Sequence, residues 1–215
     1  MLACSENTLR LTPLNTTTLD QPSASLFLQY WPNTLRNQHR NRSDIVYTQI
    51  NQLVATTYGR VQDAIRIFKT RYGKPRVFDI NQSLDSPIEN CFISVSHSHD
   101  WSIWTLQPTH CALDIELCKP RKHLKQLLLR LLASIDYAHS ASAISDDRAL
   151  LSAWQDLDQA TQIRCFYALW TFAEAWCKWQ GSTLWQTFAQ GLPFPWQSWI
   201  ELANCNHRQI TDDCT

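Results

Sequence analysis

No sign of charge predominates in this chain: Lys+Arg and Asp+Glu both number 19, for a formal net charge of zero. A chain-wide basic footprint for nucleic acid is therefore missing. An anionic ligand would have to be met by a local cluster of positive groups, not by the overall field. The eight cysteines (Cys4, Cys91, Cys111, Cys118, Cys165, Cys177, Cys205, Cys214) include no CxxC pair. Several sit in apolar segments, where cysteine acts as a small hydrophobe, and reduced thiols in a cytoplasmic protein are the expectation. The opening MLACSENTLRL lacks a basic region followed by a sustained apolar stretch, so no secretory signal is expected. No window approaches a membrane span, because Arg130 interrupts the richest leucine run, and no membrane association is expected. Repeats and low-complexity tracts are also missing. What remains is 215 residues of which 44% are hydrophobic, enough for a real core in one large domain or two small subdomains.

The first 41 or so residues are polar and weakly patterned, with one apolar cluster at Leu26, Phe27, Leu28, Tyr30 and Trp31. A basic stretch (Arg36, His39, Arg40, Arg42) precedes a segment in which Ile45, Val46, Ile50, Leu53 and Val54 recur at helical spacing, with Gly59 as its stop. Ile65, Ile67 and Lys69 alternate like a strand that ends at the turn Gly73-Lys74-Pro75. Three short strands are expected next, at Phe92 to Ser96, Trp101 to Leu106 and Cys111 to Leu117, paired antiparallel through SHSHD and QPTH turns. Leu124, Leu127, Leu128 and Leu131 mark an amphipathic helix. A longer one runs from about Thr161 to Gln180, turns Phe166, Leu169, Trp170, Ala173, Trp176 and Cys177 inward, and stops at Gly181. The Trp- and Pro-rich end (Trp185, Pro193, Pro195, Trp196, Trp199) suggests short strands. The fold class expected is α+β with mainly antiparallel strands.

Three places carry chemistry. In a strand, Asp114 and Glu116 of Asp114-Ile115-Glu116 project to one face while Ile115 faces the core. Two adjacent carboxylates are costly unless a cation neutralises them. Oxygen ligands suit Mg²⁺, which takes one or two carboxylates and completes its octahedron with water and phosphate oxygens. A solvated pair on an edge strand is the plain alternative. Glu174 and Lys178 stand four apart on the long helix, the commonest surface ion pair, yet Trp170, Phe172, Trp176 and Trp179 surround them. There a carboxylate could complete a metal site or act as a base, and the lysine could hold a phosphate. Finally, Ser96-His97-Ser98-His99-Asp100 ends a strand with hydroxyls, an imidazole and turn amides suited to a phosphate. A zinc site using His97, His99 and Asp100, with His110 and Cys111 as distant ligands, and a purely structural His97 are the alternatives.

Taken in order, these segments resemble the Sfp-type 4′-phosphopantetheinyl transferase superfamily, in which a GKP turn, an SHS strand end, a DIE strand and a WxxKExxxK helix closed by glycine follow one another. Here they read Gly73-Lys74-Pro75, Ser96-His97-Ser98, Asp114-Ile115-Glu116 and Trp170 to Lys178, and the likeness covers about residues 36 to 185. The resemblance implies two similar α/β halves with small antiparallel sheets and a ligand cleft between them, at 1–108 (GKP and SHS) and 109–215 (DIE strand and helix). It implies that Asp114, Glu116 and Glu174 bind Mg²⁺. Ser96 and His97 would contact the nucleotide 3′-phosphate, with Lys74 and Arg42 as further contacts to coenzyme A and Lys178 on its pyrophosphate. The implied activity is transfer of the phosphopantetheine arm of coenzyme A to a serine of an acyl or peptidyl carrier protein. Glu174 is the candidate proton acceptor and Lys178 stabilises the transferring phosphoryl group. A monomer is implied.

Three positions depart from the family pattern: Ala173 replaces a lysine, Ala112 a glycine, and His99 a glycine whose place often needs a positive φ. Ala173 and the short stretch after Gly181 motivate an alternative, a degenerate transferase-like protein that binds coenzyme A or a carrier without transfer. Carrier proteins are acidic, so Arg121, Lys122, Lys125 and Arg130 form one candidate docking face, ordinary solvated charge being the other explanation.

Overall fold

The computed structural model describes residues 8–11, 25–31, 39–134, 151–152 and 154–193. Helices and small antiparallel sheets make up its described residues, an α+β architecture. The described residues fall into two compact units, one drawn from Met1–Ile115 with Lys178–Gly181, the other from Glu116–Cys177 with Ser182–Thr215. Among the described residues no helix is long and apolar enough to cross a membrane, and no disulfide joins the described cysteines.

The first unit is built on a four-stranded sheet. Its strands are β1 (Thr8–Leu11), β2 (Ser25–Tyr30), β5 (Phe92–Ser98) and β6 (Trp101–Gln107), in the order β1-β2-β6-β5 with every pair antiparallel. A separate hairpin joins β3 (Ile65–Lys69) to β4 (Pro75–Asp79) through Gly73, at φ 81°. Helix α1 (His39–Tyr58) buries Val46, Ile50 and Val54, which stand four apart and so share one face. It ends where Gly59 turns left-handed (φ 60°) and the Arg60 amide reaches the Ala55 carbonyl at 2.8 Å, a Schellman closure that takes up an orphan carbonyl. The core joins these residues to Phe27, Ile65, Val77, Ile93, Trp104 and Leu106, with Phe27 stacked on Trp104 at 3.9 Å between centroids.

The described residues of the second unit include helices α2 (Leu124–Leu132), α3 (Gln159–Gln180, whose last residues belong to the first unit) and α4 (Leu184–Gln190). Leu128, Leu131, Leu132, Phe166, Leu169 and Ala173 form its core with Trp154 and Leu192. Asp158 starts α3 by accepting the Thr161 hydroxyl and, at 3.0 Å, the Thr161 amide, which in that order hold its carboxyl below the usual carboxylate range. A reciprocal Thr183–Gln186 capping box starts α4.

Two expectations are corrected. Residues 111–117 form no strand, so the DIE segment belongs to no sheet. The Leu113 amide bonds to Ser94 Oγ at 3.1 Å in place of a strand partner. The stretch around Trp185 is helix α4, not strand, because a good cap precedes it. Pro195, Trp196 and Trp199 lie outside the described residues.

Candidate functional site

Alternate positions of β5 set up the first unit's polar site, with Ser94 and Ser96 both buried. Along the strand, the Phe92 carbonyl meets Cys111 Sγ at 3.8 Å, Ser94 Oγ accepts from the Leu113 amide, and Ser96 Oγ donates to Asp114 Oδ1 at 2.6 Å. The segment 111–114 therefore follows β5 in the same direction, tied on by side chains. Residues two apart on a strand share a face, and that periodicity places the two serines where this segment passes.

Asp114 is the centre of the arrangement. Its side chain is 6% exposed, and Oδ1 receives both Ser96 Oγ and Lys178 Nζ, the latter at 2.7 Å. Lys178 also approaches the Leu113 carbonyl at 3.3 Å. The other carboxylate oxygen, Oδ2, is buried and has no hydrogen-bond partner among the described residues. A buried charged oxygen left so is expensive, and it is the kind of atom that a hard cation or a ligand donor would satisfy. Among the described residues no group of three or more His, Cys, Asp or Glu side chains that could hold a metal ion is present.

The β5–β6 turn carries the next group. His99 sits there at φ 52°, in the left-handed region expected at its glycine-like position. The buried Arg42 donates from Nη1 to the His99 carbonyl at 2.8 Å, so this arginine clasps the turn. His97, one residue before the strand end, is exposed, with Nδ1 2.7 Å from Ser102 Oγ.

Lys74 follows the left-handed Gly73 and is half-buried. Its Nζ donates to the Trp179 carbonyl at 2.9 Å and meets His110 Nε2. Burial, and then the neighbouring Arg76, lower the Lys74 ammonium to about 8. The His110 imidazole is likewise lowered by burial and by the Lys74 and Arg76 charges. The His110 ring stands edge-on to Phe92 and Trp179, while Arg76 lies over Phe92 at 5.8 Å. Two cations, an imidazole, the half-buried Phe92 and the exposed Trp179 thus gather in one place. His110 and Trp179 were not singled out as contacts of Lys74. The only signal was that each sits near a motif in sequence, which does not reveal their meeting.

In the second unit, Glu116 and Glu174 are half-buried, the first in the irregular stretch before α2 and the second on α3. Ala173 is fully buried in that unit's core, so the side chain at this position points inward. Arg121 lies over the rings of Trp170 and Tyr167, at 5.4 and 5.8 Å, and borders a groove of about 390 Å³ with Leu124, Lys125 and Trp154. Lys122 and Arg130 are exposed.

The structure thus brings together Ser96, Asp114 and Lys178, and separately Arg42 with the turn next to His97. No family model matches the chain, and a search of curated proteins finds no match.

Proposed function

We propose that the chain is a Mg²⁺-dependent 4′-phosphopantetheinyl transferase, using coenzyme A as donor and a carrier-protein serine as acceptor. The observation that carries this reading is the buried Asp114 carboxylate, one oxygen held by Ser96 and Lys178 and the other left unpartnered. Three motifs of the family resemblance supply those three residues. The finer architecture, two similar halves with a nucleotide cleft, is part of the proposal.

Asp114, Glu116 and Glu174 would hold Mg²⁺, and the unpartnered Asp114 oxygen is a donor of the right kind. The ion would supply charge neutralisation at a diphosphate. Lys178, which bonds to Asp114, would hold a pyrophosphate oxygen and shift its ammonium toward the developing charge. His97, Lys74 and Arg76 would receive the nucleotide and its 3′-phosphate, with Arg42 acting through the His99 carbonyl that it grips. Glu174 would accept the proton of the carrier serine. A bond forms between the serine oxygen and the β-phosphorus; the bond from that phosphorus to the bridging oxygen breaks, and 3′,5′-ADP leaves with the bridging oxygen. The aromatic-backed Arg121 and Lys125 groove would face the acidic carrier.

Incubation of an apo-carrier protein with coenzyme A, Mg²⁺ and this chain tests the proposal by intact mass. A mass gain of one phosphopantetheine arm, abolished by EDTA and restored by Mg²⁺, is expected. An unchanged carrier across several carrier classes removes the enzyme reading. A second reading, coenzyme A binding without transfer, is favoured by Ala173, since its buried position offers no ammonium where the family pattern has one.

A further inference from the structure

A three-residue relay crosses the β5–β6 hairpin. Trp31 Nε1 donates to Ser102 Oγ at 2.7 Å, and Ser102 Oγ lies 2.7 Å from His97 Nδ1. His97 and Ser102 are directly opposed in the β5–β6 register, and the Trp31 amide is anchored on the Asp100 carbonyl at 2.7 Å. Ser102 is 0% exposed and Trp31 3% exposed, so water does not serve this hydroxyl.

The donor inventory decides the direction of the chain. An indole N–H can only donate, so Ser102 Oγ must accept from Trp31. The serine hydrogen then needs an acceptor in a dry interior, and His97 Nδ1 is the one beside it. If Nδ1 carried a proton instead, the hydroxyl would accept twice and bury its own hydrogen without a partner, which is costly. The ring proton belongs on Nε2, on the far side of the ring from Ser102.

We infer that Ser102 and Trp31 are positioning residues that fix the tautomer of His97, so that this exposed imidazole presents an Nε2–H donor to a phosphate monoester. The choice of ligand rests on the transferase reading; the tautomer does not. An Nε2 lone pair would repel a phosphate oxygen, whereas an N–H bonds to it. The serine thus does for an anion site what outer partners of histidine do at metal sites.

Long-range ¹⁵N–¹H correlation on ¹⁵N-histidine-labelled full-length protein, above the pH range where histidines titrate, tests the tautomer. His97 is identified by the signal lost in His97→Asn. Expected for the wild type are a protonated Nε2 and a bare Nδ1. Ser102→Ala and Trp31→Phe should both move the pair toward exchange-averaged values, while Ser102→Thr keeps the wild-type signature. A protonated Nδ1 in the wild type, or an unmoved signature in both deletions, overturns the inference. If Ser102→Ala does not fold, the wild type and Trp31→Phe decide it. In the second arm, 3′,5′-ADP is titrated calorimetrically. Ser102→Ala should weaken it about tenfold, as loss of one charge-assisted bond would, with Ser102→Thr near wild type. Unchanged affinity in Ser102→Ala overturns the positioning role. A wild type that does not bind 3′,5′-ADP sinks the nucleotide reading, and the spectra then still decide the tautomer.

Discussion

Lys178 Nζ reaches Asp114 Oδ1 at 2.7 Å although 64 positions separate the two residues in sequence. With Asp114 so deeply buried, the lysine neutralises a charge that has little water around it. Lys178→Met should therefore lower stability by about 2 kcal/mol, the usual scale for losing a hydrogen bond to a charged group. The lysine's partial exposure keeps the loss below that of a fully buried pair. Urea midpoints read the effect, and a midpoint equal to wild type would show that the pair contributes nothing.

Glu174→Gln separates binding from transfer. If the carboxylate takes the serine proton, turnover should fall about 100-fold or more, a far larger loss than that in coenzyme A affinity. Equal turnover in the variant removes Glu174 from the chemistry.

The Lys74 ammonium, lowered to about 8, predicts a proton linkage. A phosphate beside it favours the charged form and raises its pKa, so binding of 3′,5′-ADP at pH 8.5–9 should take up protons. Affinity should decline as pH rises through about 8. In the ligand-free protein the folded state holds fewer protons on this lysine than the unfolded chain between about 8 and the ordinary lysine value of 10.5, so this group makes stability rise with pH there. Calorimetry in two buffers of different ionisation enthalpy measures the uptake. Lys74→Met should abolish it; uptake that persists in that variant assigns it elsewhere.

His99 occupies a left-handed turn at φ 52°, which a β-branched side chain tolerates badly. His99→Val should cost about 1–2 kcal/mol, and His99→Asn, which enters this region more easily, much less. Thermal melts of the two variants distinguish them. Equal melting points would show that the turn relaxes away from this conformation.

Periodic segments were legible in the sequence because burial alone decides them. Val46, Ile50 and Val54 announced α1, Phe166, Leu169 and Ala173 announced α3, and the alternation around Ile65 announced β3. The positive φ at residue 99 was foreshadowed only by the family resemblance, whose pattern has a glycine at that place. The segment 111–117 misled, because its alternation of apolar and polar residues is compatible with any extended backbone. Whether such a backbone joins a sheet depends on its neighbour. Here Ser94 and Ser96 take its bonds through their hydroxyls, and no periodicity encodes that. Strand β1 was missed for a related reason: four residues inside a polar stretch carry too little pattern, and their pairing with β2 decides the element. Of the candidate site, the residue types were readable but their meetings were not. Lys74 with Trp179, Arg42 with the His99 carbonyl, and Trp31 with Ser102 are contacts between distant parts of the chain.

Among the described strands β5 ends its sheet, and residues 111–114 run alongside it without adding a rung to the ladder. A sheet edge left bare recruits strands from other molecules. The hydroxyls of Ser94 and Ser96 therefore act as a selvedge: they moor a strip of irregular chain over the rim and deny it to neighbouring copies. Loosening that strip would make the protein sticky before it made it unfold.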